Sequence, residues 1–252
     1  MIKPSLHAWL KPDTWTPEKA YELVNTLVNQ LGTMHPDLRE WDDLPQGPKD
    51  KSVRLTDRAA IIARILRKIE KRKSSSPQMP NAESADLNVT NALTEKAWKE
   101  PGRSVISFTP WDGAFSIDML DPQKRFGEEL TRRIFVQTLS SVASLLPLKF
   151  AAADTKVHRD GKSTLYQIDK KLFPHRQYFG WMGFVPTELS HAQIRDADEM
   201  IAVPGKGTII VTVPGMFDPT DAAQVEQVHR VEMQLAHYNL LRVTDPDLRD
   251  AP

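Results

Sequence analysis

Two turn signatures set the fold class. Trp111-Asp112-Gly113 separates the β-like runs 104–110 and 114–120, and Pro204-Gly205-Lys206-Gly207 separates 199–203 from 208–213. A short Gly-containing turn brings the chain back alongside itself, so each pair of runs predicts an antiparallel hairpin.

Helical patterns surround the hairpins. Thr16-Pro17-Glu18 supplies a hydroxyl N-cap and a proline at the first helical position, and Ala20, Leu23, Val24, Leu27, Val28 and Leu31 follow at helical spacing up to Gly32. A second helix is predicted from Asp57 to Lys71, with Ile62, Ile65, Leu66 and Ile69 on one side. Its end is crowded with cations, which the helix dipole favours there. A long helix follows from Gly127 to Leu146, and a last one is capped by Asp218-Pro219-Thr220-Asp221, with Val228, Val231, Leu235, Tyr238 and Leu241 facing the core.

The remaining segments carry weaker signals. Residues 6–10 predict a short strand, and 178–185, the most aromatic stretch, a buried one. A short helix is expected near 188–195. Residues 149–174 read as polar and loop-like, with a possible strand at 164–168. The expectation is an α+β fold: an antiparallel sheet built from hairpins, packed with about four to five helices. Residues 1–252 form one domain in this reading, with a loop insertion at 73–100 and a flexible tail at 244–252.

Composition narrows the function classes. The chain has no cysteine, so thiolate metal sites, disulfides and a cysteine nucleophile are excluded. Its 33 basic residues balance 33 acidic ones, unlike a protein that coats nucleic acid. The balance is uneven along the chain: residues 1–53 carry six basic and eight acidic side chains, 54–185 carry 22 and 14, and 186–252 carry five and 11. Separated charge of this kind serves partner choice more than folding. The start of the chain shows no signal-peptide pattern and the longest apolar runs are far short of a membrane span, so a soluble, unexported protein is expected.

No motif assembles a catalytic site. Gly205-Lys206-Gly207-Thr208 lacks the upstream glycine of a phosphate loop and reads as a turn. Glu226-x-x-His229 has no second copy, as a di-iron bundle would need. Asp154-Thr155-Lys156, Asp160-Gly161-Lys162 and Asp169-Lys170-Lys171 each fit the Asp-x-Lys of metal-dependent nucleases, without the further upstream aspartate on a strand. A nuclease using one of these pairs is therefore the enzymatic alternative. An adaptor of a secretion system, docking through the basic stretch from Arg64 to Lys73, is the structural one.

The order of features resembles the bacterial immunity protein 52 family of polymorphic toxin systems. The resemblance runs over about residues 6–242. It is carried by the first helix leading into Leu31-Gly32-Thr33-Met34-His35-Pro36-Asp37-Leu38-Arg39-Glu40-Trp41, the hairpin with Trp111-Asp112-Gly113, the Gly180-Trp181 pair, and the late hairpin running into Phe217-Asp218 and a helix ending Asn239-Leu240-Leu241. The stretch 73–100 departs from the pattern.

The resemblance implies a non-enzymatic antidote, without cofactor or metal, that binds a restriction-endonuclease-like nuclease toxin of a type VI secretion system in the cytoplasm. Such a partner presents a positive groove, so carboxylates are the expected contacts. The candidates are Asp37, Glu40, Asp42 and Asp43 after the first helix, and Asp196, Asp198 and Glu199 before the late hairpin. Trp41, Trp111, Gly180 and Trp181 are expected to be structural.

Overall fold

A computed structural model describes residues 1–45, 47 and 50–248. The sheet begins with β1 (Ile2–Leu10), then the two-residue strands β2 (Asp42–Asp43) and β3 (Val53–Arg54), and β4 (Leu87–Thr90). The first hairpin is β5 (Ser104–Thr109) with β6 (Ala114–Met119). Then come β7 (Leu148–Arg159), β8 (Lys162–Leu165), β9 (Met182–Val185), and the second hairpin, β10 (Glu199–Val203) with β11 (Gly207–Val211). All join one antiparallel sheet in the order β10-β11-β9-β7-β1-β6-β5-β4-β2-β3, with β8 folded back on β7. The fold is α+β.

Five α-helices lie among the described residues. α1 (Pro17–Met34) starts where the Thr16 hydroxyl accepts the Lys19 amide at 3.3 Å. α2 (Arg58–Ser75) is capped by Asp57, whose carboxylate takes the Ala60 amide at 3.1 Å. α3 (Pro122–Phe126) is a single short turn, and α4 (Glu128–Leu145) follows directly after Gly127. α5 (Ala222–His237) begins at Asp221, which caps the amides of Ala223 and Gln224.

Strand alternation divides the sheet into two faces. Leu6 and Ala8 of β1 stand opposite Ala153 and Ala151 of β7 and opposite Ile117 and Phe115 of β6, and all are buried. Cross-strand partners share a face, so these residues form one continuous apolar floor. α1 packs on α2 and α4, and Trp15, just before α1, sits edge-on to Phe108 at 5.0 Å. The inner side of α1 buries Leu23, Val24, Leu27, Val28 and Leu31, each contributing about 1.5–3 kcal/mol.

The other face carries Trp9 and His7 beside Phe150 and Ala152. Phe179 covers it, 5.9 Å from Phe150, and is linked to α5 through Glu232. Gly183 makes this cover possible: a Cβ there would meet the Phe179 ring at 2.8 Å.

Several expectations are corrected. Residues 149–174 are not loop-like. They contain the twelve-residue β7, its hairpin partner β8, and a π-helical turn at Tyr166–Lys170 in place of a strand through 168. The residue 6–10 strand begins at Ile2 and is central. No helix forms near 188–195. Glu188 there accepts the Gly205 amide at 3.1 Å and the Thr208 hydroxyl accepts the Leu189 amide at 2.9 Å, which pins the segment to the β10–β11 hairpin as turns. Tyr238 is 41% exposed, since α5 ends one residue before it.

Within 73–100, α2 continues to Ser75 and β4 enters the sheet beside β5. Of the tail at 244–252, Pro246–Leu248 form a 3-10 turn and residues 249–252 lie outside the described residues.

Candidate functional site

The first acidic group divides into accessible and enclosed members. After α1, the turn Pro36–Leu38 presents Asp37, and Trp41 is fixed beneath it by a 2.8 Å hydrogen bond from its indole N–H to the Leu38 carbonyl. Asp37 pairs with Arg125, whose hydrogen bond holds the Asp37 carboxyl below the usual carboxylate range. Glu40 pairs with Arg54 at 3.1 Å while its side chain stays 70% exposed.

Asp42 and Asp43 are different. They form β2, and Asp43 is 1% exposed, with Arg64 Nε at 2.5 Å and Lys68 Nζ at 3.3 Å. Asp42 is buried against Arg54 Nε at 3.4 Å. The expectation that they are solvent-facing contacts is corrected: cations of α2 and β3 neutralise them inside the fold. Burial pushes the Asp43 carboxyl above its ordinary pKa, against the pull of Lys68 and Arg64.

Asp37 and Glu40 border an open cleft of about 600 Å³ together with Glu100, Arg103, Lys124 and Arg125. Asn91 holds its floor, donating to the carbonyls of Asp37 (3.2 Å) and Gly102 (3.1 Å). The cleft is of mixed charge, and its accessible carboxylates are those a basic surface could reach.

The second acidic group lies at the far edge of the sheet. Asp198 and Glu199 converge on one cation, Arg132 of α4, at 3.1 and 2.6 Å. Asp196 faces Arg230 at 3.5 Å and accepts from Gln234. β10 and β2 are far apart in the sheet order, but the helices bring members of the two groups closer. Asp37 is held by Arg125 of α3 and Glu199 by Arg132 of α4, and Glu199 lines one pocket with Met34 at the end of α1. Both groups therefore reach the same α3–α4 segment.

Gly180, Trp181 and Trp111 are held within the fold. Gly180 has φ of 71°, and a Cβ on it would stand 2.2 Å from the Ala153 carbonyl oxygen. Trp181 is fully buried, with its indole N–H on the Gly215 carbonyl at 2.9 Å. Trp111 lies under the Arg72 guanidinium, 5.3 Å from its ring centre.

Each Asp-x-Lys aspartate has a folding role. Asp154 is fully buried in β7, and its carboxylate accepts the amides of Thr155 (2.6 Å), Gln167 (3.0 Å) and Tyr166 (3.2 Å). Burial raises its pKa to about 6, against those three hydrogen bonds. Its Lys156 is exposed. Asp160 has φ of 52° and turns the β7–β8 hairpin with Gly161, while Asp169 caps the Leu165 amide at 2.7 Å.

A second buried carboxylate, Glu232 of α5, takes the amides of Phe179 (2.7 Å) and Gly180 (3.3 Å). Burial raises its pKa, offset by the Phe179 amide and by the Tyr166 phenol. Asp154 and Glu232 thus clamp two irregular backbone segments onto β7 and α5. His229 of the Glu-x-x-His pair meets the Lys170 carbonyl at 2.8 Å, and Glu226 pairs with Arg230.

Among the described residues no group of three or more His, Asp or Glu side chains is placed to hold a metal ion. No helix among them is long and apolar enough to cross a membrane. Sequence reasoning missed one feature, a basic groove over Trp9 whose lysines and arginines lie in four separate segments.

No protein-family model matches the sequence, and no curated protein is significantly similar to it. Among solved structures the fold is similar to that described as Pseudomonas aeruginosa T6SS protein PA0821. That match has a TM-score of 0.51 and 10% sequence identity, and covers 92% of this chain and 72% of the other.

Proposed function

We propose that this protein is an immunity protein that binds and neutralises a cognate antibacterial toxin, a restriction-endonuclease-like DNase delivered by a type VI secretion system. The observation that carries the reading is the likeness in fold, over nearly the whole chain, to a protein described as belonging to that system. The order of motifs resembling the immunity protein 52 family supports it.

In this reading the protein acts by binding, in the cytoplasm, without cofactor and without touching DNA. A DNase offers a cationic groove, and an inhibitor gains association rate by meeting it with accessible carboxylates. Asp37 and Glu40 at the mixed-charge cleft are the contacts the geometry favours, with Asp198 and Glu199, held by Arg132 further along the same α3–α4 segment, as the second candidates. The enzymatic alternative loses ground because Asp154, Asp160 and Asp169 each serve the backbone.

The test is co-expression with the toxin encoded beside it. Rescue of growth and a stable co-purifying complex are expected. A toxin that stays lethal and unbound overturns the proposal, as does DNA cleavage by the purified protein with Mg²⁺ or Mn²⁺ that Lys156→Ala abolishes.

A further inference from the structure

The groove over Trp9 encloses about 720 Å³, within the usual size range of small-molecule pockets. Trp9 comes from β1 and Lys149 from β7, while Lys171, Arg176 and Arg242 stand around them. Among the described residues, none of the four cations forms an ion pair, and no carboxylate lines the groove. Elsewhere the enclosed guanidiniums meet acids: Arg64 meets Asp43, Arg72 meets Asp86 and Arg132 meets Glu199. Among the described residues, half-buried Arg176 donates to the Leu241 carbonyl at 2.9 Å and Lys171 to that of Pro174 at 2.8 Å, and neither meets a carboxylate.

The wall that carries these cations is built. The Gln177 amide donates to the Arg242 carbonyl at 2.9 Å and the Thr244 amide to the His175 carbonyl at 2.8 Å. This short ladder holds 242–244 against 175–177. Four like charges around one concavity raise its potential and favour an anion of more than one charge.

The rest of the lining selects among anions. Trp9 is half-buried, lies 5.8 Å from Phe150 and lines the groove with its indole. Gln167, Gln177 and Asn239 add carboxamides that can both donate and accept. A simple polycarboxylate or polyphosphate would use the cations and leave these groups idle. A nucleotide uses all of them: phosphates on the cations, base on the indole, base edge on the carboxamides.

We infer that the groove formed by Trp9, Lys149, Lys171, Arg176 and Arg242 binds a nucleoside polyphosphate. The site is separate from the acidic cleft and does not depend on toxin binding.

The experiment is isothermal titration of the full chain at low salt with ATP, adenosine, inorganic tripolyphosphate and a ten-nucleotide oligothymidylate. ATP is expected to bind about tenfold or more tightly than tripolyphosphate or adenosine alone. The double variant Lys149→Glu, Arg242→Glu, with both side chains exposed, should weaken ATP by about tenfold or more at an unchanged melting temperature. Absence of ATP binding at about 1 mM, or binding that the double variant leaves intact, overturns the site. Tripolyphosphate binding as tightly as ATP overturns the nucleoside assignment, and oligothymidylate binding far more tightly overturns the free nucleotide in favour of single-stranded nucleic acid.

Discussion

Glu232 accepts the backbone amide of Phe179 at 2.7 Å, joining a helix to a bend 53 residues earlier in the chain. The carboxylate also takes the Gly180 amide, whose backbone lies in the left-handed region. One buried side chain thus serves two donors that no strand partner satisfies.

Replacing Glu232 with alanine strands both amides in the interior and is expected to cost about 3 kcal/mol. Glu232→Gln keeps an acceptor oxygen and should cost clearly less. Urea unfolding of both variants decides it, and an alanine variant as stable as the parent would show that the clamp contributes nothing.

Asp154 gives a pH dependence of definite sign. Its folded pKa stands at about 6, above the ordinary value of 3.8, because burial disfavours its charge. The folded state therefore holds a proton that the unfolded chain releases. The stabilisation is complete below about pH 4 and is lost as pH rises through about 6, amounting to about 3 kcal/mol. Asp43 and Glu232 are shifted upward for the same reason and tilt the curve the same way. Between pH 4 and 6.5 the stability difference between the parent and Asp154→Asn should move in the variant's favour as pH rises; a flat difference contradicts the assignment.

Two of the four members of the first acidic group, one enclosed and one exposed, should respond in opposite ways. Asp43→Ala leaves Arg64 and Lys68 without their shared partner and is expected to cost about 3–5 kcal/mol. Glu40→Lys, on an exposed side chain, should leave stability within about 0.5 kcal/mol and slow association with a basic toxin by about tenfold. Thermal melts and stopped-flow association separate the two effects, and an unchanged association rate would remove Glu40 from the interface.

Gly180 and Gly205 share positive φ values of 71° and 68° but differ in surroundings. Alanine at 205 meets nothing within 4 Å, so it reports the backbone cost alone, about 1 kcal/mol. Alanine at 180 drives a Cβ into the Ala153 carbonyl and should destabilise by several times that amount or prevent folding. Equal midpoints for the two variants would contradict this.

The sequence announced what is local. α1 was legible from Thr16, Pro17 and the apolar spacing behind them, and the two hairpins from Asp112-Gly113 and Pro204-Gly205. β7 was hidden because its centre, Ala151-Ala152-Ala153-Asp154-Thr155, joins small alanines to two polar residues yet is wholly buried. Neighbouring strands and the Tyr166 turn hold it as a strand against its low intrinsic preference. The accessibility of the acidic residues was illegible for a related reason. Asp43 meets Arg64 across a loop and Glu199 meets Arg132 from 67 residues away, distances at which charge spacing says nothing. The basic groove was missed likewise, since 149, 171, 176 and 242 share no periodicity.

The place of β1 has a consequence for synthesis. Its nine residues lie between β6 and β7, so both edges of Ile2–Leu10 await strands translated about 100 and 140 residues later. Sheet closure is a late event of high contact order. Until then both edges of the strand lack ladder partners, so pairing with another unfinished chain competes with closure.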